Sequence, residues 1–349
     1  MPHRFSMANI LLTNRCVRSC PYCFAEKEMR HSMSKSVMSW EDIIYLADFL
    51  QASGEGRVSL LGGEPTLHPE FTDILLYFMD RGLSVTVFTS GIMSHAVLNR
   101  INKHISGNPD RRVTFVCNLN NPEQTDALEE EKEKIRNFLS ALGKWTMAGF
   151  NIYRTDFELG FLFDMIGRYG LKKSLRLGIA HPIPGSDNRF IRVGEIKAII
   201  ERIYSYKSDF QKSGISPHFD CGFPLCRVTD EQLGWFARNA GHVSFKCLPA
   251  IDITPDMQVY CCFPLSHLKR KTIFDFNSFK EITDYYAKLQ DRIRRVLPGI
   301  YEECHDCVHR HGGRCAGGGV CQLLKKLADE SPEILSFIAN ELDETCCSL

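Results

Sequence analysis

The sequence carries no excess of either charge: 42 basic and 42 acidic residues cancel over 349 positions. That balance gives no electrostatic means of capturing nucleic acid or an anionic membrane surface. No apolar run approaches the length of a membrane span. Residues 1–6 pass at once into a strand-like segment, with no room for a charged region, an apolar stretch and a cleavage site. The expectation is a cytoplasmic protein that neither spans nor binds a membrane and has no peptide-binding domain ahead of its first strand. Cysteine is nearly absent from the body of the chain, where Cys117 stands alone between Cys23 and Cys221.

Cysteine is concentrated elsewhere. Fifteen are present, three in one opening loop and eleven at or beyond Cys221. In a chain without an export signal this usage argues for metal or redox chemistry, since a disulfide framework needs an oxidising compartment. The opening loop reads T-N-R-C-V-R-S-C-P-Y-C-F, with Cys16, Cys20 and Cys23 in a C-x3-C-x2-C run. Three thiolates so close cannot complete a tetrahedral zinc site without a fourth ligand. They suit three corners of a cubic [4Fe-4S] cluster, whose fourth iron then keeps an open position.

With 44% apolar residues the chain can bury a large core and has room for two or three domains. Up to about residue 195, apolar runs at 8–13, 57–61, 84–89, 112–117, 150–153 and 175–180 alternate with helical patterns. That alternation predicts βα units and an α/β fold with a parallel sheet. Helices are expected from Trp40, capped by Ser39, over 69–81 closed by Gly82, over 125–142, over 157–169 ending at Gly170, and over 193–212. Right-handed crossovers would roll these units into a full or partial barrel, with its functional loops at the C-terminal ends of the strands. The cysteine loop follows the first strand. Gly62-Gly63-Glu64 follows the second, Thr89-Ser90-Gly91 the third, and Asn118 and Asn120 the fourth.

The C-x3-C-x2-C loop with Tyr22 before its last cysteine, together with the Gly-Gly-Glu turn, resembles the radical S-adenosylmethionine (radical SAM) family. The resemblance implies a partial (β/α)6 TIM-like barrel over 1–214 and a [4Fe-4S] cluster on Cys16, Cys20 and Cys23. SAM would sit on the open iron. Gly62, Gly63 and Glu64 would meet the methionine amino group, and Asn118, less closely Asn120, would stand where relatives hold the ribose and carboxylate. Tyr22 joins this cofactor-binding set, and Arg154 would pair with the SAM carboxylate. Cys117 is read as a core thiol, and His181-Pro182-Ile183-Pro184-Gly185 as a structural loop.

Beyond a boundary at 214–217, the tail is similar to the SPASM extension of the family, a small cysteine-rich α+β domain over 215–349. Between Cys247 and Cys262 the pattern is a hairpin turning at Pro255-Asp256, with Met257 where the extension has glycine. Cys304-x2-Cys307-x7-Cys315-x5-Cys321 follows, its last two gaps each two residues longer than in the extension. The resemblance implies two auxiliary [4Fe-4S] clusters. One would use Cys247, Cys262 (or the adjacent Cys261), Cys321 and one of Cys221 or Cys226. The other would use Cys304, Cys307, Cys315 and one of Cys346 or Cys347. A zinc ribbon of Cys304, Cys307, Cys315 and Cys321 is the competing arrangement.

As a family member the chain would cleave SAM reductively to a 5'-deoxyadenosyl radical that abstracts a substrate hydrogen. An electron donor such as flavodoxin or ferredoxin would serve it. SPASM relatives point to a peptide substrate that is crosslinked, epimerised or oxidised, with a separate leader-binding protein as partner. Phe263 replaces the Asp of relatives that oxidise sulfatases. The alternatives are dehydrogenation of a small alcohol or amino sugar and, outside catalysis, an iron-sulfur electron carrier or scaffold. Tyr153, His181, Asp220 and His242 are polar groups without an assigned role.

Overall fold

The computed structural model describes residues 7–26, 29, 35–107, 112–121, 128–183, 186–247, 250–330 and 333. Cys346, Cys347, Pro184, Gly185 and the expected start of the acidic helix at Thr125 lie outside them.

Six parallel strands and their crossover helices build the body. They are β1 (Ala8–Thr13), β2 (Arg57–Gly62), β3 (Ser84–Thr89), β4 (Val113–Asn118), β5 (Thr146–Ile152) and β6 (Ser174–Ile179). Five helices connect them: α1 (Trp40–Ala52), α2 (Phe71–Asp80), α3 (His95–Ser106), α4 (Glu129–Leu142) and α5 (Gly160–Arg168). Ser39 caps α1 by accepting from the Asp42 N–H, while Gly82 and Gly170 take the left-handed conformation just beyond α2 and α5. The strands are apolar on both faces because helices cover one side and the barrel interior the other. Ile10, Leu12, Val58, Leu60, Val87 and Phe115 are all fully enclosed.

The sheet does not close, and its order is β10-β9-β8-β1-β2-β3-β4-β5-β6-β7. It is an open, largely parallel α/β sheet of the partial-barrel kind. Residues 193–212 do not form the single helix expected of them. A 3-10 turn (Val193–Glu195) leads into α6 (Ile196–Ser205), and after Tyr206 the chain restarts as α7 (Lys207–Ser213). Tyr206 is anchored from outside the helix: its hydroxyl donates to Glu158 at 2.7 Å and accepts from the Leu159 N–H at 3.3 Å.

The stretch 214–217, read as a domain boundary, holds the left-handed cap Gly214 followed by β7 (Ser216–Phe219), parallel to β6. At the other edge the hairpin forms as expected. β8 (Ile251–Ile253) runs parallel to β1 and antiparallel to β9 (Gln258–Cys261), and β10 (Lys271–Thr272) pairs with β9. Asn9 donates to Asp252 at 2.8 Å across the β1–β8 seam. The remaining helices are α8 (Asp230–Asn239), α9 (Phe279–Val296), α10 (Val308–His311) and α11 (Val320–Glu330).

Candidate active site

The Cys16–Cys23 loop leaves the C-terminal end of β1 and is pressed onto the turn after β2. Gly63 N–H donates to Thr13 O at 2.8 Å and Glu64 N–H to Arg15 O at 2.7 Å. Two glycines permit this approach. A Cβ on Gly62 would lie 2.3 Å from Thr13 O, and one on Gly63 would lie 2.1 Å from Arg15 O and 3.0 Å from Cys16 Cβ. The Gly-Gly pair is therefore fixed by backbone-on-backbone packing against the cysteine loop.

Glu64 is buried, and its carboxylate is turned away from that loop toward the next turn. It accepts from Thr66 Oγ1 at 2.8 Å, Thr89 Oγ1 at 2.8 Å, Ser90 N–H at 2.8 Å and Ser90 Oγ at 2.6 Å. A carboxylate so engaged fastens the turns after β2 and β3 together.

Cys16 is exposed, and Cys20 and Cys23 are half-buried. Burial pushes all three thiols up, Cys23 to about 12, and neighbouring sulfurs add to the rise at Cys16 and Cys23. Three thiolates sharing eight residues repel one another unless a cationic body sits among them. The donor set thus fits an iron-sulfur group.

Between this loop and the ends of β4 and β5 lies a cleft of about 460 Å³, lined by Arg18, Cys20, Tyr22, Asn120, Tyr153, Arg154 and neighbours. Tyr22 stacks on Tyr153 with ring centroids 4.9 Å apart and donates to Asn120 Oδ1 at 3.3 Å. Arg154 stands on its rim, paired with Asp156 at 2.6 Å. The structure thereby brings Tyr22, Asn120 and Arg154 to one cleft.

Asn118 is turned elsewhere. Its Oδ1 accepts from Arg176 at 3.2 Å, as does Asn151 Oδ1 at 3.2 Å, and Arg176 also pairs with Asp220. The Arg176 guanidinium lies 5.3 Å from the Phe88 ring centroid. This buried cation inside the barrel was not singled out from the sequence, although an arginine in the apolar strand S-L-R-L-G-I was a visible signal. Arg18, half a turn along the cysteine loop, was missed as well. Cys117 is fully buried in the core, as expected.

In the tail the thiols fall into two groups. Cys221, half-buried and pushed far up by desolvation, is within electrostatic reach of Cys247, Cys321 and Cys262. Cys321, at the start of α11, likewise feels Cys247 and Cys262 and receives backbone N–H groups of the first helical turn. Burial raises Cys247, while the Arg294 guanidinium bonded to its sulfur lowers it. Arg294 also donates to the carbonyls of Ala316 and, at 3.0 Å, Gly318, so one side chain ties Cys247 to the glycine loop.

Cys261 lies in the hydrophobic core, where Gln290 donates to its sulfur at 3.2 Å, and it too is within electrostatic reach of Cys262 and Cys247. Cys262 is the member of that pair that Cys221 and Cys321 also feel, which places it in the first group.

The second group is Cys304 with Cys307 and Cys315. Here the exposed Cys226 is within reach of Cys304 and Cys315, so the two upstream cysteines divide between the groups. Arg227 stacks on Tyr301 at 3.8 Å and pins the Cys226 turn beside Cys304. Glycines again make room: a Cβ on Gly299 would stand 2.6 Å from Cys304 Sγ, and the Gly317 N–H donates to Cys315 Sγ at 3.4 Å. Of the four thiols in the zinc arrangement, Cys321 lies within reach of Cys247 and Cys262, while Cys304 lies within reach of Cys307 and Cys315. Among the described residues no three His, Cys, Asp or Glu side chains converge on a single-ion site, and no helix is long and apolar enough to cross a membrane.

Comparison with known proteins locates this geometry. The Radical SAM superfamily profile matches residues 10–161. An S-adenosylmethionine-dependent nucleotide dehydratase from Selenomonas ruminantium is 34% identical over 84 residues, which is 24% of this chain and 29% of that relative's length. Among solved structures, Streptococcus suis SuiB bound to its precursor peptide SuiA superposes with a TM-score of 0.65 at 12% identity, covering 92% of this chain and 73% of SuiB. Native anSMEcpe with bound AdoMet gives 0.61 at 15% identity, covering 97% of this chain and all of that one (100%). Residues 10–161 of this chain are a radical SAM superfamily domain.

Proposed function

We propose that the chain reductively cleaves SAM and uses the radical so formed to modify a peptide substrate by crosslinking, epimerisation or oxidation. The observation that carries this reading is the cleft of about 460 Å³ opening directly beside the cysteine loop at the strand ends. Cys16, Cys20 and Cys23 would hold a [4Fe-4S] group, which would supply the electron that cleaves the SAM sulfonium to a 5'-deoxyadenosyl radical. Gly62 and Gly63 hold the turn after β2 against the cysteine loop, where the turn would meet the methionine amino group of SAM. The stacked pair Tyr22–Tyr153 forms an apolar wall that keeps water from the reacting atoms, and Asn120 sits at the tip of Tyr22. The Arg154 guanidinium at the rim is placed for a carboxylate.

In this reading residues 1–214 form the SAM-cleaving body and 215–349 house two auxiliary [4Fe-4S] groups. One rests on Cys221, Cys247, Cys262 and Cys321. The other rests on Cys304, Cys307 and Cys315 with a fourth thiol. Four thiolates per group favour electron acceptance over substrate ligation, with a flavodoxin or ferredoxin feeding the first cluster. The fold shared with peptide-bound SuiB supports a peptide substrate over a small alcohol or amino sugar.

The test is anaerobic formation of 5'-deoxyadenosine with candidate precursor peptides, alongside the Cys16→Ala/Cys20→Ala/Cys23→Ala variant. Peptide-stimulated turnover that vanishes in the variant is expected. Turnover driven by small alcohols and indifferent to every peptide would overturn the peptide reading. No deoxyadenosine under any condition would overturn the whole of it.

A further inference from the structure

His181 follows β6 at the mouth of the barrel, and nothing in the reading above uses it. The residue keeps a little surface, yet both ring nitrogens are sealed from solvent and have no hydrogen-bond partner among the described residues. Burial pushes its pKa down to about 4, so the ring is neutral and carries one N–H.

The backbone under the ring is anchored. Asn188, itself buried, donates to His181 O at 2.9 Å and accepts from the Ile183 N–H at 3.1 Å. The Ala180 N–H donates to Ile152 O at 2.9 Å. The backbone that carries the imidazole is thus held on the barrel.

Its tip faces the first tail group. A methyl on Gly319 would stand 3.9 Å from His181 Cε1, 3.4 Å from Cys321 Sγ and 3.6 Å from Gln322 Oε1, which makes no hydrogen bond to the ring. Ring and sulfur look into the same gap, which glycine leaves open. A buried N–H donor without an acceptor is unfavourable and uncommon in a folded chain, and sulfurs of an inorganic group filling that gap would be acceptors.

We propose that His181 donates a hydrogen bond to a sulfur of the iron-sulfur group held by Cys221, Cys247, Cys262 and Cys321, and thereby raises the reduction potential of that group. A donor aimed at cluster sulfur stabilises the more negative, reduced state. The barrel mouth and the first auxiliary group are then linked through one neutral side chain. This inference rests on the proposal that these cysteines hold iron and sulfide.

The test uses the full-length, anaerobically reconstituted protein labelled with ¹⁵N-histidine, with His181→Phe and His181→Gln alongside. Iron content, hyperfine spectroscopy and redox titration followed by electron paramagnetic resonance are read on each. Expected are a weak nitrogen coupling in the wild type that is lost in His181→Phe, a shift of one auxiliary signal to lower potential, and partial return in His181→Gln, all at unchanged iron content. Unmoved potential and coupling with iron in place would overturn this inference alone. A strong coupling in the wild type, with loss of about four irons in His181→Phe, would replace hydrogen bonding by direct ligation and overturn it too. Absence of iron from these four cysteines in the wild type would sink the inference and the two-cluster reading together.

Discussion

At the scale of single residues, the site depends on side chains that are missing. Gly63→Ala puts a methyl 2.1 Å from a backbone oxygen of the cysteine loop, where no flexible side chain can yield. Overpacking of this kind costs roughly 1–3 kcal/mol when the surroundings relax, and here relaxation means moving Cys16. The expected outcome is a folded protein, by circular dichroism, that retains about four fewer irons per chain. Gly160→Ala is the control, since nothing stands within 4 Å of its Cβ and its φ is ordinary. Equal iron in both variants would show that the close approach is not needed for cluster retention. The spacing of Cys16, Cys20 and Cys23 and the Gly-Gly pair were legible because each is a local requirement. The partners of Glu64 and Arg176 were not, because a strand residue shows which face it occupies and not which neighbour 25 or more positions away will meet it.

At the scale of elements, the hairpin over β8 and β9 sets the first tail group, and Met257 in its turn has φ +62°. A left-handed non-glycine residue costs roughly 1–2 kcal/mol, which glycine would relieve. Met257 is also buried in the hydrophobic core, though, and deleting such a side chain costs roughly 2–5 kcal/mol. Packing outweighs strain, so Met257→Gly is expected to lower stability by about 1–3 kcal/mol in chemical denaturation. An increase would show that the turn is governed by its backbone. The chain after β7 divides its two cysteines between groups, with a consequence for the ligands. Cys226→Ala is expected to perturb the Mössbauer signature of the group on Cys304, Cys307 and Cys315, and Cys221→Ala the other one. The reverse pattern would return Cys226 to the group of Cys247. Most strands were legible from alternation and run length. β7 was not, since Ser-Pro-His-Phe is short and carries a proline, which a sheet accepts only at its edge, where β7 lies. The break at Tyr206 escaped for a related reason: the periodicity continues through it, and a hydroxyl anchored on Glu158 and Leu159 decides it.

At the scale of the whole molecule, the body and the tail share one sheet. β8 covers the free edge of β1 through Ala8, Asn9 and Ile10, and β7 covers β6. Phe263, just past the hairpin, packs on Phe24 of the opening loop with centroids 5.4 Å apart. Composition separates a cysteine-poor body from a cysteine-dense tail, yet strand pairing across residue 214 is a long-range property that composition does not carry. A chain ending at Gly214 would leave β1, A-N-I-L-L-T, as an uncharged and unpaired parallel edge, and β6, whose one charge is Arg176, as a second open edge. Open apolar edges of this kind pair with other chains. The expected result for 1–214 is aggregation on size-exclusion chromatography with light scattering, even at low concentration. A chain ending at Glu330 keeps all ten strands and is expected to elute as the full chain does. If Cys226 completes the second group, that shorter chain also keeps its full iron content without Cys346 and Cys347. A monodisperse, cooperatively folding 1–214 fragment would mean instead that the tail is appended to a self-sufficient barrel and that the β1–β8 seam contributes little to holding the cysteine loop in place.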